Sequence, residues 1–437
     1  MRPVNSLSIF IFTQCLYLTH GHPSPQINVF GLSNRAQATP EFTSRDEPAL
    51  LDPRQASGSG QKCGVQNGGT SCPQGFCCSQ DGECGTGRAY CDAPYCQYKY
   101  GPACDDNATP AGTDTSTVPR PVLGSIEYGG AGIWNCSKPG YVALTYDDGP
   151  YIYTGELLDI LAKREVPATF FLTGNNYGKH GMDNESTPYP GLIRRMITDG
   201  HQVGSHTWSH QDLSKLTTED RTWEMVKNEM AFRNIMGFWP TYMRPPYDSC
   251  TADSGCRSDM STMGYHIVEY TVDTYDFDNI TPETYPMSQS NVTAAFDGSD
   301  SATDDYIVYS HDTHPLTVRN LTEYMIDTIG GLGYKFATIG DCLGDPKENW
   351  YRDPTTGKAT EPVIKHTASS LGSSSGSSSG GSSSVESSAG SGTVTSTVTE
   401  TIRAASSTGE SSDAALTVYS SWSVVPMLLA LGLLMAA

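Results

Sequence analysis

The sequence predicts an α/β fold, a parallel sheet curled into a distorted (β/α)7 barrel, with a small disulfide-rich module ahead of it. Seven apolar, β-rich runs, at 141–145, 168–172, 202–206, 241–244, 266–272, 306–310 and 335–339, are separated in part by amphipathic helical patterns at 155–164, 191–199, 217–236 and 316–329. The runs are apolar throughout rather than alternating, as strands covered on both faces by helices are. Seven such strands suggest a barrel-like closure rather than an open sheet. The module shows as eight cysteines crowded between Cys63 and Cys104.

Along the chain, residues 1–21 resemble a secretory signal, with Arg2, an apolar stretch from Leu7 to Leu18 and a cleavage site at Thr19-His20-Gly21. Of 13 cysteines, Cys15 would leave with it, and the even remainder suits a disulfide-bonded secreted protein. Glycosylation sequons at Asn107, Asn135, Asn184, Asn279, Asn291 and Asn320 fit the same compartment. Residues 22–60 lack periodicity and read as a linker or pro-segment. The 61–106 module is too short to support a hydrophobic core, so disulfides must hold it, although sequence alone selects no pairing. A Thr/Pro-rich linker at 107–121 leads to the main body, 122–346. Thr217, with Asp220 three positions on, has the look of a helix N-cap. Residues 366–412 form a Ser/Thr-rich stalk that cannot build a core. At 413–437, small residues from Asp413, a spacer and a short apolar tail match a glycosylphosphatidylinositol (GPI) anchor signal with Asp413 as attachment site. The expected location is therefore extracellular, anchored through lipid at the outer face of the plasma membrane or in the cell wall. A net charge of −21 without a basic stripe argues against nucleic acid as a partner.

Three separated segments carry the chemistry: Thr145-Tyr146-Asp147-Asp148-Gly149-Pro150, Ser205-His206-Thr207-Trp208-Ser209-His210, and Ile307-Val308-Tyr309-Ser310-His311-Asp312. Each lies at the C-terminal end of a predicted strand, where active sites of parallel α/β barrels assemble. His206 and His210, at i and i+4, would share one face of a helical turn. With one carboxylate they make the two-nitrogen, one-oxygen set of a catalytic metal that keeps a position open for water. A second carboxylate and a third histidine remain for proton transfer, which reads as metal-assisted hydrolysis. Trp208, Tyr247, Tyr275 and Phe277 are candidate apolar walls for sugar rings. His314 reads as a loop residue, and His180, His201 and His266 as surface or core.

Joined by Arg244-Pro245-Pro246-Tyr247 and Asp273-Thr274-Tyr275-Asp276-Phe277, these motifs occur in the order of a known family. Residues 120–345 resemble the polysaccharide deacetylase (NodB homology) domain of carbohydrate esterase family 4, and within it the fungal chitin deacetylases. The resemblance implies that Asp147 is the general base and that Asp148, His206 and His210 hold a divalent metal, zinc first with cobalt or manganese as alternatives. It further implies that Arg244 pairs with Asp147 and keeps it ionised, that the Tyr247 N–H faces the oxyanion, and that Asp276 orients the acid His311. Phe277 and Tyr309 depart from the family pattern, which has Trp or Tyr and Leu there. The cysteine spacing of the small module resembles hevein-like chitin-binding modules. That implies the bridges Cys63–Cys78, Cys72–Cys84, Cys77–Cys91 and Cys96–Cys104, and a sugar site at Ser79 and Tyr90 from which Asp81 and Glu83 have displaced two aromatics. In the main body Cys136–Cys342 and Cys250–Cys256 are the expected pairs.

The implied function is metal-dependent removal of N-acetyl groups from N-acetylglucosamine residues of chitin, giving chitosan and acetate at a fungal cell surface. Chitin or its oligomers and cell-wall polysaccharide are the implied partners. Deacetylation of xylan or peptidoglycan, or a non-catalytic wall-binding role, are the alternatives.

Overall fold

The computed structural model describes residues 58–364. The expected leader, most of the 22–60 segment, the 366–412 stalk and the anchor signal with Asp413 lie outside the described residues.

The module consists of β1 (Cys77–Cys78), β2 (Cys84–Gly85) and the one-turn α1 (Arg88–Cys91). It is held by Cys63–Cys78, Cys72–Cys84, Cys77–Cys91 and Cys96–Cys104, whose sulfurs fill the interior that a segment this short cannot fill with apolar side chains. The segment expected as a linker, 107–121, runs along the main body instead. Arg233 Nη2 donates to the Ala111 carbonyl at 2.8 Å. Thr115 is buried against Glu229, which also forms an ion pair with Arg120 at 2.7 Å. The Thr/Pro composition gave no sign of these partners, which lie more than a hundred residues away.

The main body opens with β3 (Gly129–Ile133), β4 (Tyr141–Asp147), α2 (Thr154–Arg164), β5 (Thr169–Leu172), α3 (Tyr189–Thr198) and β6 (Gln202–Ser205). It continues with α4 (Thr218–Met236), β7 (Trp239–Pro240), β8 (Tyr242–Met243), α5 (Cys256–Met263), β9 (His266–Val268) and β10 (Val272–Asp273). The last elements are α6 (Tyr285–Ala295), β11 (Tyr306–His311), α7 (Thr322–Gly331), β12 (Lys335–Phe336), α8 (Ile339–Leu343) and β13 (Tyr351–Arg352). The central strands are fully covered: Val142, Ala143, Leu144 and Phe170 have no exposed surface. On α4, Thr217 Oγ1 accepts the Asp220 N–H at 3.2 Å, and Gly237 closes the helix in the left-handed region at φ 85°.

Every strand pair of the main sheet is parallel, in the order β10-β11-β4-β5-β6-β8-β9-β3 with β12 beside β4. The expected 266–272 strand is therefore two strands, β10 at one end of this path and β9 next to the other end. Only Glu269–Thr271 separate them, a stretch that spans at most roughly 14 Å from Val268 to Val272. The sheet must curl until its ends nearly meet, which makes it a distorted barrel rather than an open layer. β3, built from three glycines in five residues, had no apolar signal, and α5 and α6 are short and polar enough to have been missed.

The body also extends past the expected boundary at 346. Trp350 is buried in the core, and β13 pairs antiparallel with β7. The buried Arg352 donates to the carbonyls of Pro121 and Gly357, both at 2.8 Å. Cys136–Cys342 links the chain before β4 to α8 across 206 residues, and Cys250–Cys256 staples a loop. Closing so long a segment constrains the unfolded chain strongly. Replacing Cys136 and Cys342 together by serine is expected to cost about 4 kcal/mol in urea denaturation while native far-UV circular dichroism is retained.

Candidate active site

The groups that matter leave the sheet from the C-terminal ends of parallel strands. β4 ends on Asp147 and turns at once through Asp148, whose φ is 74°. β11 lies beside it in register, with His311 opposite Asp147. β6 runs out into His206, and β8 into Arg244. The segment from His206 to His210 is not the helical turn expected from its spacing. It is a loop in which Thr207 and His210 take positive φ of 68° and 59°, and this bend brings the two rings to 5.0 Å between centroids. Four residues of loop can place two side chains together as well as one helical turn can.

Asp148, His206 and His210 offer ligand atoms that all lie within 4.8 Å of one another. His206 Nδ1 is committed to the Arg244 carbonyl at 2.7 Å, which makes it the N–H donor and leaves Nε2 as a lone pair facing the carboxylates. His210 Nε2 and His206 Nε2 lie 3.1 and 3.7 Å from Asp148 Oδ1, yet neither contact has hydrogen-bond geometry. Asp148 Oδ1 and Asp147 Oδ2 are buried without a hydrogen-bond partner among the described residues, a costly arrangement unless something else sits between them. Burial, reinforced by the His210 ring, holds the His206 imidazole well below its ordinary pKa, so it is neutral, as a metal ligand must be. Burial works against the Asp148 carboxylate, but the His210 ring beside it and the charged His311 outweigh it and hold it well below the usual range. Donor types, the neutral His206 imidazole and the orphaned oxygens all fit a divalent cation.

The proton-carrying groups flank this trio. Asp147 is fully buried and paired with Arg244 Nη1 at 2.9 Å. Burial is nonetheless the larger effect, and the carboxyl is pushed up to about 7 against the pull of Arg244 and His311. Arg244 alone therefore does not keep Asp147 in the ordinary carboxylate range. Burial disfavours a charged His311, but Asp276 outweighs it, accepting from His311 Nδ1 at 2.8 Å and from its backbone N–H at 2.7 Å, and raises the imidazole to about 10. Thr317 Oγ1 donates to the same carboxylate at 2.8 Å and fixes its rotamer. Tyr247, in the left-handed region at φ 59°, is the second residue of a single 3-10 turn, so its N–H is one that a helix start leaves without an intrahelical partner.

A family model for polysaccharide deacetylases matches residues 135–268, and one for chitin recognition proteins matches residues 62–104. A chitin deacetylase of Colletotrichum lindemuthianum is 48% identical over 223 residues, which cover 51% of this chain and 87% of that one. The chain belongs to the polysaccharide deacetylase family. A chitin deacetylase of a Pestalotiopsis species is 38% identical over 245 residues, 56% of this chain and 74% of the relative. The solved structure of the Colletotrichum enzyme aligns at 46% identity with a TM-score of 0.49, over 52% of this chain and 97% of that one.

Several residues around the deacetylase site escaped the sequence reading. Tyr177 donates to Asp148 Oδ2 at 3.2 Å. Lys179 is buried and donates to the carbonyls of Asp148, Gly149 and Thr173 at 2.7, 2.8 and 2.9 Å, clamping the turn that carries the carboxylates. Neither belongs to a motif, and a lone Lys or Tyr in a loop gives no signal. His314, read as a plain loop residue, lines the cleft with its ring 5.6 Å from that of His311. Tyr309 stacks flat on Tyr270, their centroids 4.4 Å apart, and forms a wall of the cleft together with Phe277.

Other expectations are corrected. Trp208 is no sugar wall: it is 1% exposed and packs over Gly174. Tyr247 and Tyr275 are exposed, but only Tyr247 lines the cleft. His201 and His266 are core residues, in line with their reading as surface or core, the first edge-on to Phe170 and the second stacked on Tyr128. In the module, Ser79 is buried with its hydroxyl bound to the Glu83 N–H at 3.3 Å, and the Tyr90 ring covers Gly85. Asn279 is buried and donates to the Tyr275 carbonyl at 2.9 Å. Asn107, Asn135 and Asn320 are exposed, and Asn184 and Asn291 half-buried. Because Lys179 supports the turn without touching the reacting atoms, Lys179→Met is expected to lower metal affinity and kcat/KM together by about 10–100-fold, read by metal titration and acetate release. Unchanged metal affinity would show that the clamp does not position Asp148.

Proposed function

We propose that this deacetylase removes the acetyl group from N-acetylglucosamine residues of chitin, releasing acetate and leaving a free amine. The observation that carries the reading is the convergence of the Asp148, His206 and His210 donor atoms with a partnerless Asp147 oxygen and a charged His311 at one cleft. Chitin as the substrate is supported by the two fungal relatives that bear that name and by the match of residues 62–104 to chitin recognition proteins.

Asp148, His206 and His210 would hold the cation, with zinc favoured by the two imidazoles and one carboxylate. When bound, it polarises the acetyl carbonyl and makes water acidic enough to attack an amide. Asp147, whose Oδ2 faces the ligand set, takes the proton from the attacking water. The Tyr247 N–H supplies a hydrogen bond to the oxygen that gains charge. His311, kept charged by Asp276, protonates the departing amine. The two proton carriers need opposite starting states, and their surroundings provide them: Asp147 titrates near neutrality and His311 well above it.

A secreted location with lipid anchoring belongs to the same proposal. Six disulfides among the described residues, four of them holding the small module together, support an oxidising compartment. The anchor rests on the sequence pattern at 413–437 alone.

Asp147→Asn is expected to lower kcat on chitin oligomers by about 10³-fold or more with zinc content unchanged; substantial residual acetate release would remove Asp147 from the base role. Dialysis against a chelator should stop acetate release, and added zinc should restore it. The pH profile should be a bell. The rate climbs as Asp147 loses its proton, at or below about 7 because a bound cation adds positive charge beside it, and falls as His311 loses its own at about 10. A profile without the alkaline limb would deny His311 the acid role.

A further inference from the structure

The small module is not merely tethered to the deacetylase domain. It is docked beside the catalytic cleft through polar contacts. Arg88 Nη2 donates to the Tyr177 carbonyl at 2.8 Å, and Tyr177 is the residue that bonds Asp148. Gly178 sits so close that an added Cβ would lie 2.9 Å from Arg88 Nε. Gln211, next in sequence to His210, donates to the Pro94 carbonyl at 3.3 Å and to Asp106 Oδ1 at 2.6 Å. Asn175 donates to the Asp105 carbonyl at 3.0 Å, and Lys99 pairs with Asp220 at 2.8 Å.

This docking places Pro94 and Tyr95 in the wall of the cleft that Tyr247 and His311 also line. Tyr95 keeps 40% of its surface exposed. The same two residues also line a second hollow on the module, whose other walls include Tyr98, Lys99 and Gln211. Pro94 and Tyr95 thus lie between the two hollows and line both. Meanwhile the loop where sugar-stacking rings were expected carries Asp81 and Glu83, with Glu83 paired to Lys62 and Ser79 buried. The exposed ring of the module thus faces the reacting centre rather than standing apart on its own loop.

We propose that Tyr95 forms a sugar subsite of the deacetylase cleft, stacking on an N-acetylglucosamine unit further along the bound chain than the neighbour of the one being deacetylated, with the chain running on towards the hollow lined by Tyr98. The inference rests on the chitin deacetylase reading above. A pyranose ring presents an apolar face of C–H groups, and an exposed tyrosine ring buries it while its own polar edge stays wet. Because the docking is fixed before substrate arrives, the contact costs little ordering on binding.

The test uses the full chain loaded with zinc and measures acetate release from N-acetylglucosamine oligomers of two to six units. The wild type is expected to gain kcat/KM with chain length. Tyr95→Ala should reduce the hexamer-to-dimer ratio of kcat/KM by about tenfold, chiefly through a higher KM for the hexamer, with zinc content and unfolding midpoint unchanged. Tyr95→Phe, which keeps the ring, should restore the ratio. An unchanged ratio in Tyr95→Ala, or an equal loss on dimer and hexamer, overturns the subsite while leaving the deacetylase reading intact. No acetate from any oligomer with the wild type overturns the deacetylase reading, and the subsite falls with it.

Discussion

An ion pair shut away from water fixes the geometry of this site. Asp147 and Arg244 both have no exposed surface, and their contact is 2.9 Å. Neither charge could be buried alone: removing one partner from such a pair typically costs about 3–5 kcal/mol, because the other is stranded. The guanidinium spends its other donors on Thr145 Oγ1 at 2.6 Å, the Glu269 carbonyl at 3.0 Å and the Val268 carbonyl at 3.3 Å. It thereby ties the end of β4 to the chain leaving β9, two strands that are not neighbours in the sheet. Its Cζ lies 4.4 Å from the centroid of the Phe171 ring, over the ring face. A lysine could supply the charge but neither the fork nor the flat face.

With one oxygen of Asp147 held by Arg244, the other is left facing the ligand set. That asymmetry is what lets two consecutive carboxylates do different work. Asp148 turns through a positive φ towards His210 and Tyr177, and neighbouring positive charge keeps it ionised. Asp147 stays in the desolvated interior and titrates near neutrality. Lys179 holds the intervening carbonyls in place, so the division is built into the backbone as much as into the side chains.

What the sequence revealed and what it hid separate along physical lines. The long central strands were legible because a short, continuous apolar run is stable only where both of its faces are covered. The site residues were legible because they sit directly after those runs. The groups supporting the site were not, since Tyr177, Lys179 and Tyr270 act through contacts that only the fold creates. The helical turn expected for His206 and His210 failed for a related reason: spacing constrains which side chains can meet, but a loop with positive φ can satisfy the same spacing. The split of 266–272 into β9 and β10 was invisible because local composition cannot report that the chain crosses from near one end of the sheet to the other. Trp208 illustrates the ambiguity of aromatics, whose large apolar surface suits a core as well as a sugar.

The docked module follows from the same reasoning about charge. Its contacts with the main body are mainly polar, and Asp106 is buried beside Glu224, so that burial and the like charge push it up to about 7. Such an interface gains little net stability, since desolvation offsets attraction, but it tolerates few alternative registers because a shifted module would leave buried polar groups without partners. A flexible tether would raise only the local concentration of sugar near the cleft, whatever the orientation of the module. A dock specified by Arg88, Lys99, Gln211 and Lys227 instead holds one edge of the module against the cleft in a defined orientation. The edge so placed bears Pro94 and Tyr95. The orientation that the dock fixes is therefore one that presents Tyr95 to the cleft.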